Sequence, residues 1–340
     1  MLRARRAERE VSMYPRSLAS TMMVSVLLFA TTAAAQQKQV AIREGASDAT
    51  LASAPGRERD AVAAAVKEAP APYSPPFLGR GVIPNNVIRF DTTNAPFSRD
   101  GAPGVATTMM LAGAYRISGN IGVGLRLGMD RVSVSGAETK WGVLNPQISG
   151  MYSFPLGRGF RLAASLAAAI PVGSGGGNSG DPDVVKAHKS AALARCALEN
   201  AMFGVNDLTF GYAVDLAYIK GGFTAQASVG ASTGFRVRGE EVQPDTFKAN
   251  STYNLSAGYF ILPQISLGAE MRYQHYLTTP SSVEKDPSTR ANLTAAVGVR
   301  GHMRVGKVWM RPGASYGHGI VGPVEKNGYH LVQIDMPVAF

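Results

Sequence analysis

The chain has 340 residues, with 34 Lys plus Arg against 24 Asp plus Glu and a mean hydropathy near zero. Only 17% of it is charged, against roughly 25% in an average soluble protein, so a heavily solvated globule fits poorly. One Cys excludes a disulfide-stapled scaffold and a thiolate zinc or iron–sulfur centre, and the 38 glycines follow no collagen-like period.

The first element is an address. Residues 21–35 form a short apolar run ending in small residues, preceded by Arg3, Arg5, Arg6, Arg9 and Arg16. A basic stretch, a short apolar stretch and an Ala-x-Ala end are the parts of a secretory signal peptide. The run falls short of the roughly 20 residues a membrane-spanning helix needs. Cleavage after Ala35 is expected, leaving 29 basic and 22 acidic residues, a net charge of +7; a start at Met13 would leave Arg16 alone ahead of the run. Cys196 lies far from the cleavage site, so a lipid anchor is not expected, and it reads as a small apolar residue.

Residues 36–80 carry an Ala/Glu/Lys/Arg stretch, with a short helix expected over 57–69, and then a run dense in Pro. They read as a largely disordered periplasmic linker. From residue 81 onward the chain alternates. Ile121, Val123, Leu125, Leu127 and Met129 stand against Gly122, Gly124, Arg126, Gly128 and Asp130, and Leu208, Phe210, Tyr212, Val214 and Leu216 stand against Thr209, Gly211, Ala213 and Asp215. Successive strand side chains point to opposite faces, so each segment has one oily and one polar or small face.

Twelve such segments are expected: 82–94, 104–117, 121–134, 141–154, 160–171, 207–219, 223–238, 251–262, 264–277, 291–305, 307–317 and 329–340. A soluble sandwich also alternates, but three features favour a closed barrel in the outer membrane. Many segments are long, matching the ~9–11 residues of a tilted membrane-crossing strand. Short turns (118–120, 155–159, 220–222) alternate with long loops (135–140, 171–206, 239–250), as short inner turns and longer outer loops would. Oily-face aromatics such as Tyr115, Phe160, Tyr218, Phe210, Phe235 and Tyr316 gather near segment ends, where two lipid–water interfaces would lie. The expected fold is an all-β, transmembrane, antiparallel up-and-down barrel over residues 81–340, with one helical insert in a long outer loop. The alternating final strand ends in Phe340, which resembles the C-terminal signal read by the barrel assembly machinery.

Phe77 to Asp91, the Gly-x-Gly strand from Ile121 and the Ala167 to Gly173 strand end are similar to the outer-membrane transporter family associated with phenol degradation. That resemblance implies a barrel passing small molecules and carries no catalytic residue across.

Turned inward, the polar faces would collect Arg89, Arg116, Arg126, Arg161, Arg236, Arg238, Arg272, Arg300 and Arg311 with Asp91, Asp130, Asp215, Glu270 and Asp335. A net-positive lumen would favour anions, and neutralising Arg236, Arg238 and Arg272 should then lower anion selectivity. Alternatively the charges form salt-bridged rungs in a packed interior.

In the long insert, residues 183–202 read helically, with Val185, His188, Ala192, Cys196 and Ala197 as a shared stripe and Asp181 or Asp183 near the start. A surface helix is the default expectation; a constriction or a cap over the mouth is the alternative.

Enzyme chemistry is not expected. Gly230–Gly234 matches Gly-x-Ser-x-Gly but sits inside an alternating strand, not at a strand–turn–helix elbow. A barrel phospholipase would need a Ser–His pair, for which His275 and Ser281 are the loose candidates. The five His show no metal spacing, so neither metal nor cofactor is expected. The Arg residues sit singly, so nucleic acid is not an expected partner; membrane lipid and small solutes are. The leading functional expectation is a passive channel for small, anionic or aromatic solutes, and the runner-up is a plugged structural or adhesive barrel acting through its outer loops.

Overall fold

The computed structural model describes residues 73–196 and 200–340. The expected signal peptide, the linker as far as residue 72 with its short helix, and Ala197 lie outside the described residues.

Fifteen strand segments make one sheet. In chain order they are β1 (Val87–Arg99), β2 (Ala102–Arg116), β3 (Ile121–Val134), β4 (Lys140–Val143), β5 (Gln147–Gly157), β6 (Phe160–Ala169), β7 (Asp207–Lys220), β8 (Phe223–Arg236), β9 (Phe247–Leu262), β10 (Ile265–Tyr276), β11 (Ala291–Gly301), β12 (Met303–Val305), β13 (Val308–Met310), β14 (Gly313–Val321) and β15 (His330–Ala339). Every pairing is antiparallel between chain neighbours, and β1 pairs β15 from Val87↔Ala339 to Asn94↔Val332, closing the sheet. Because β4 continues into β5, β11 into β12 and β13 into β14, the wall has twelve staves. Closure pairs the backbone all round and leaves no free edge along the matched lengths.

Side-chain distribution is inverted relative to a soluble protein. Leu125, Leu127, Ile148, Leu166, Val214, Leu255, Val297 and Ile334 lie on the outside at 44–63% exposure. On the inside, Thr93, Thr108, Asp130, Asp215, Glu270, Arg272, Gln274, Arg300 and Asp335 are buried. Among the described residues no second sheet covers the outer face. Outward aromatics join across staves at both ends: Phe160–Tyr218–Phe223 toward the short turns, with ring centroids 4.9 and 6.4 Å apart, and Phe210–Phe235–Phe247 toward the long loops, at 6.4 and 5.2 Å. Such rings suit two interfaces between an apolar layer and water.

The first stave differs from the expected 82–94 segment. It starts at Val87, leaving Pro84 outside the wall, and runs on to Arg99. The reason is the turn that follows: Asp100 and Gly101 have φ of 51° and 82°, the two positive values a two-residue type I′ hairpin demands. Pro96 is accommodated because the ladder to β15 has already ended at Asn94. The linker boundary moves with it, since residues 73–80, assigned to the linker for their Pro content, are packed within the barrel. Pro146 and Pro312 fall at the breaks between β4 and β5 and between β13 and β14, where a missing backbone donor is tolerated.

Gly101→Val places a β-branched residue in the left-handed region at about 1–2 kcal/mol. We expect a lower urea midpoint for the folded barrel in detergent, measured by the heat-dependent gel shift, with Gly150→Val, on the outward face of β5 with nothing within 4 Å of the added Cβ, as the comparison.

Candidate functional site: the barrel interior

Two segments enter the barrel. From the short-turn end, residues 73–86 rise and return as a loop. Ser74 donates its amide to Thr224 Oγ1 (3.3 Å), and Tyr73 bonds Gln226 and the Val82 amide. At the apex, Glu270 accepts the amides of Phe77 and Leu78, while Arg89 and Gln333 donate to the Phe77 carbonyl. The Phe77 ring occupies a cradle of Gly268, Gly298 and Gly313, where a Cβ would come within 2.6–3.1 Å of it, and Arg300 lies over its face at 4.8 Å. Three glycines on three neighbouring strands are therefore the space the ring fills, and a guanidinium over an aromatic face adds cation–π attraction. On the way down, Gln226 Nε2 and Ser153 Oγ hold the carbonyls of Arg80 and Val82 at 2.7 Å each.

From the long-loop end, the insert between β6 and β7 carries α1 (Pro182–Ala194) and α2 (Asn200–Phe203). Asp181 caps α1 by accepting from the Asp183 and Val184 amides, and the Asp183 amide above all holds its carboxyl below the usual range. The default surface helix is corrected: Val184, Ala187, His188, Ser190, Ala191, Ala192 and Ala194 are buried inside the barrel, against Phe97, Ala106, Met110, Val132 and Leu144 of the wall. Val184, rather than Val185, belongs to the buried face, with His188, Ala192 and Cys196. Ala-rich sequence makes α1 slim enough to enter.

Polar locks fix its depth. His188 Nδ1 stands 2.6 Å from Asp130 Oδ2 and Nε2 3.0 Å from the Ser174 carbonyl, both side chains fully enclosed, and Gly142 leaves the space that His188 uses. Arg195 donates to Asp91 and to Thr93 (3.1 Å), and Arg99 donates to Ser190. Asn145, at the β4–β5 break, donates to the Gly204 carbonyl (2.8 Å) and accepts from the Gly173 amide (2.9 Å). Tyr329 stacks on Phe97 at 4.9 Å and donates to the Ser190 carbonyl.

The inner-face charges expected from sequence mostly meet one another or these segments. Asp335 pairs Arg89 and Arg300 at 3.0 Å each, and Arg89 approaches Asp91 at 3.6 Å. Glu270 pairs Arg272, whose other nitrogen reaches Cys196 Sγ at 3.4 Å. Asp215 accepts from Gln226 and Ser228, and Arg161 donates to Ser153 (2.9 Å). Arg311 donates its amide to the Pro337 carbonyl. Arg236 reaches the Gln243 carbonyl, and Arg238 holds the carbonyls of Val205 (2.9 Å) and Gly173 (2.6 Å). Arg236, Arg238 and Arg272, the residues whose neutralisation is expected to lower anion selectivity, each grip backbone or a buried carboxylate. Arg116 stands exposed at the end of β2, and Phe340 is exposed while its amide bonds the Asn86 carbonyl (3.1 Å).

The interior is not filled evenly. Beside the two segments lies a cavity of about 80 Å³. Residues 78–80 and Ala201 border it, and the facing wall is Ala167, Gly211, Ser228, Ser232, Thr252 and Asn254, with Arg126 and Gln147. The small residues of β6 to β8 make that space.

The residues weighed for catalysis have structural neighbours. Gly230–Gly234 lies within β8, His275 bonds Tyr273, and Ser281 bonds Asp245. A pair the sequence did not single out, Ser266 Oγ and His302 Nε2 at 2.8 Å, is buried beneath Ser74.

No family model and no curated protein sequence matches the chain. Solved structures with a similar barrel include the KdgM porin in complex with disordered oligogalacturonate (9% identity, 75% of this chain and 99% of that one, TM-score 0.44). Others are an outer-membrane channel from Pseudomonas putida F1 (12%, 78% and 98%, TM-score 0.48) and the translocator domain of the autotransporter NalP from Neisseria meningitidis (12%, 88% and 98%, TM-score 0.38).

Two substitutions test the packing. Phe77→Ala removes the cradle's occupant at about 3–5 kcal/mol, and limited trypsin digestion in detergent should then cut after Arg80 faster than in the parent. Gly142→Val collides with His188, so Cys196, fully buried in the parent, should become reactive to a polar maleimide.

Proposed function

We propose that the chain spans the outer membrane and passes small solutes passively through the cavity beside its two lumenal segments. The outer face supports the membrane setting, because exposed aliphatic side chains along all the staves match hydrocarbon and the aromatic ends match its borders. The single observation that carries the channel reading is the cavity itself. The wall opposite α1 is built from Ala, Gly, Ser and Thr, leaving room where a packed barrel would carry larger side chains. The resemblance to the transporters associated with phenol degradation belongs to the same proposal.

A second reading has its own observation. The segments entering from both ends are held by buried ion pairs and a stacked ring, which also describes a plugged barrel acting through its loops. The two readings differ in one measurement. Reconstituted in planar bilayers, the folded protein should give discrete ohmic steps, and Ser232→Trp, projecting into the cavity, should reduce them while outward Tyr212→Trp leaves them unchanged. Folded protein giving no steps above bare membrane would remove the channel and leave the plugged barrel.

A further inference from the structure

We infer that His318 and His330, on the outward face of the barrel, form a site for a divalent metal ion of the zinc class that ties β14 to β15. The site is independent of whether the lumen conducts. In sequence the two residues lie in separate segments and show no metal-ligand spacing. The sheet brings them together. They stand directly opposite each other on β14 and β15, and beside them the Gly319 amide donates to the Tyr329 carbonyl (3.1 Å). Hydrogen-bonded and non-hydrogen-bonded pairs alternate along an antiparallel ladder. His318 and His330 therefore hold a non-hydrogen-bonded position, where facing side chains come closest.

The ring geometry suits a shared ion. The two imidazole centroids are 4.8 Å apart, with their planes inclined at 40°. Metal–nitrogen bonds of about 2.0–2.1 Å, at angles from square-planar to tetrahedral, put two bound imidazole centroids roughly 4.5–5.2 Å apart. His330 Nδ1 is engaged by the Tyr316 hydroxyl at 2.7 Å, with the two rings 28° from parallel. That contact leaves Nε2 free and fixes the ring, as an outer partner does for a metal-bound His. Among the described residues neither nitrogen of His318 has a hydrogen-bond partner, and both imidazoles are exposed. No third His, Cys, Asp or Glu of the described residues joins them, so water or a chelating solute fills the remaining positions. Imidazole nitrogens favour zinc, nickel and copper over magnesium and calcium.

The position of the pair decides what a bound ion does. The ladder between β1 and β15 ends at Asn94↔Val332, so among the described residues the closing strand is laddered to β14 alone at His330. An ion held across the pair fastens that strand end at the rim beside the long loops.

The test titrates zinc chloride calorimetrically into the untagged mature chain, folded in detergent without chelators. One ion should bind per barrel, and magnesium chloride should give no heat. His318→Gln and His330→Gln should each weaken zinc about tenfold or more, and Tyr316→Phe several-fold. His275→Gln, at an outward His on β10, should bind as the parent does. All four side chains face outward, so these variants keep the wall intact. Saturating zinc should also raise the urea midpoint of the parent, read by the heat-dependent gel shift, and leave that of the double His variant unchanged. No zinc heat, undiminished zinc binding in either His variant, or an equal midpoint rise in the double variant overturns the inference.

Discussion

A barrel that turns its oily face outward must satisfy its polar face from within, and this one does so with its own chain. Glu270, Arg272, Arg300, Asp335, Asp91 and Asp130 are enclosed, where a lone charge is costly and a paired, hydrogen-bonded one is tolerable. Each carboxylate meets either a guanidinium on a nearby stave or a group delivered by an inserted segment: the Phe77 and Leu78 amides at Glu270, Arg195 at Asp91, His188 at Asp130. The wall and its contents are therefore one hydrogen-bonded unit. Removing a carboxylate strips a segment of its anchor and leaves a cation buried.

The two segments also divide the labour. The loop of residues 73–86 is held by a ring in a glycine cradle and by amides at its apex, on the side formed by β10, β11, β14 and β15. The helix α1 is held by small apolar contacts against β1 to β4, with polar locks at its ends. What remains is the side made by β6, β7, β8 and β9, lined with residues too small to fill it. Filled and unfilled halves thus follow side-chain size on particular staves.

Much of the wall could be read directly. Strict alternation located eleven staves within a few residues, because a membrane-facing strand repeats one rule over its whole length. The first stave departs furthest from its expected bounds, because its apolar alternation is weak and its end is set by the Asp100–Gly101 turn, a local signal of high specificity. Side-chain pairing lay beyond reach. Whether Arg89 meets Asp335 depends on the register between β1 and β15, which no local pattern specifies. The place of α1 was equally hidden. Its Ala-rich stripe reads as weakly apolar in isolation, and its partners Phe97, Tyr329 and Leu331 come from stretches that resembled loops or strand ends.

The glycine cradle has a consequence for biogenesis. Gly268, Gly298 and Gly313 belong to the last third of the chain, whereas the ring they receive stands before the first stave. The niche exists only once the late staves have paired, so seating Phe77 is a non-local step that follows near-completion of the wall. Protection of that aromatic would then mark a finished molecule, distinguishing it from a half-zipped intermediate whose sheet is present but whose seam remains open.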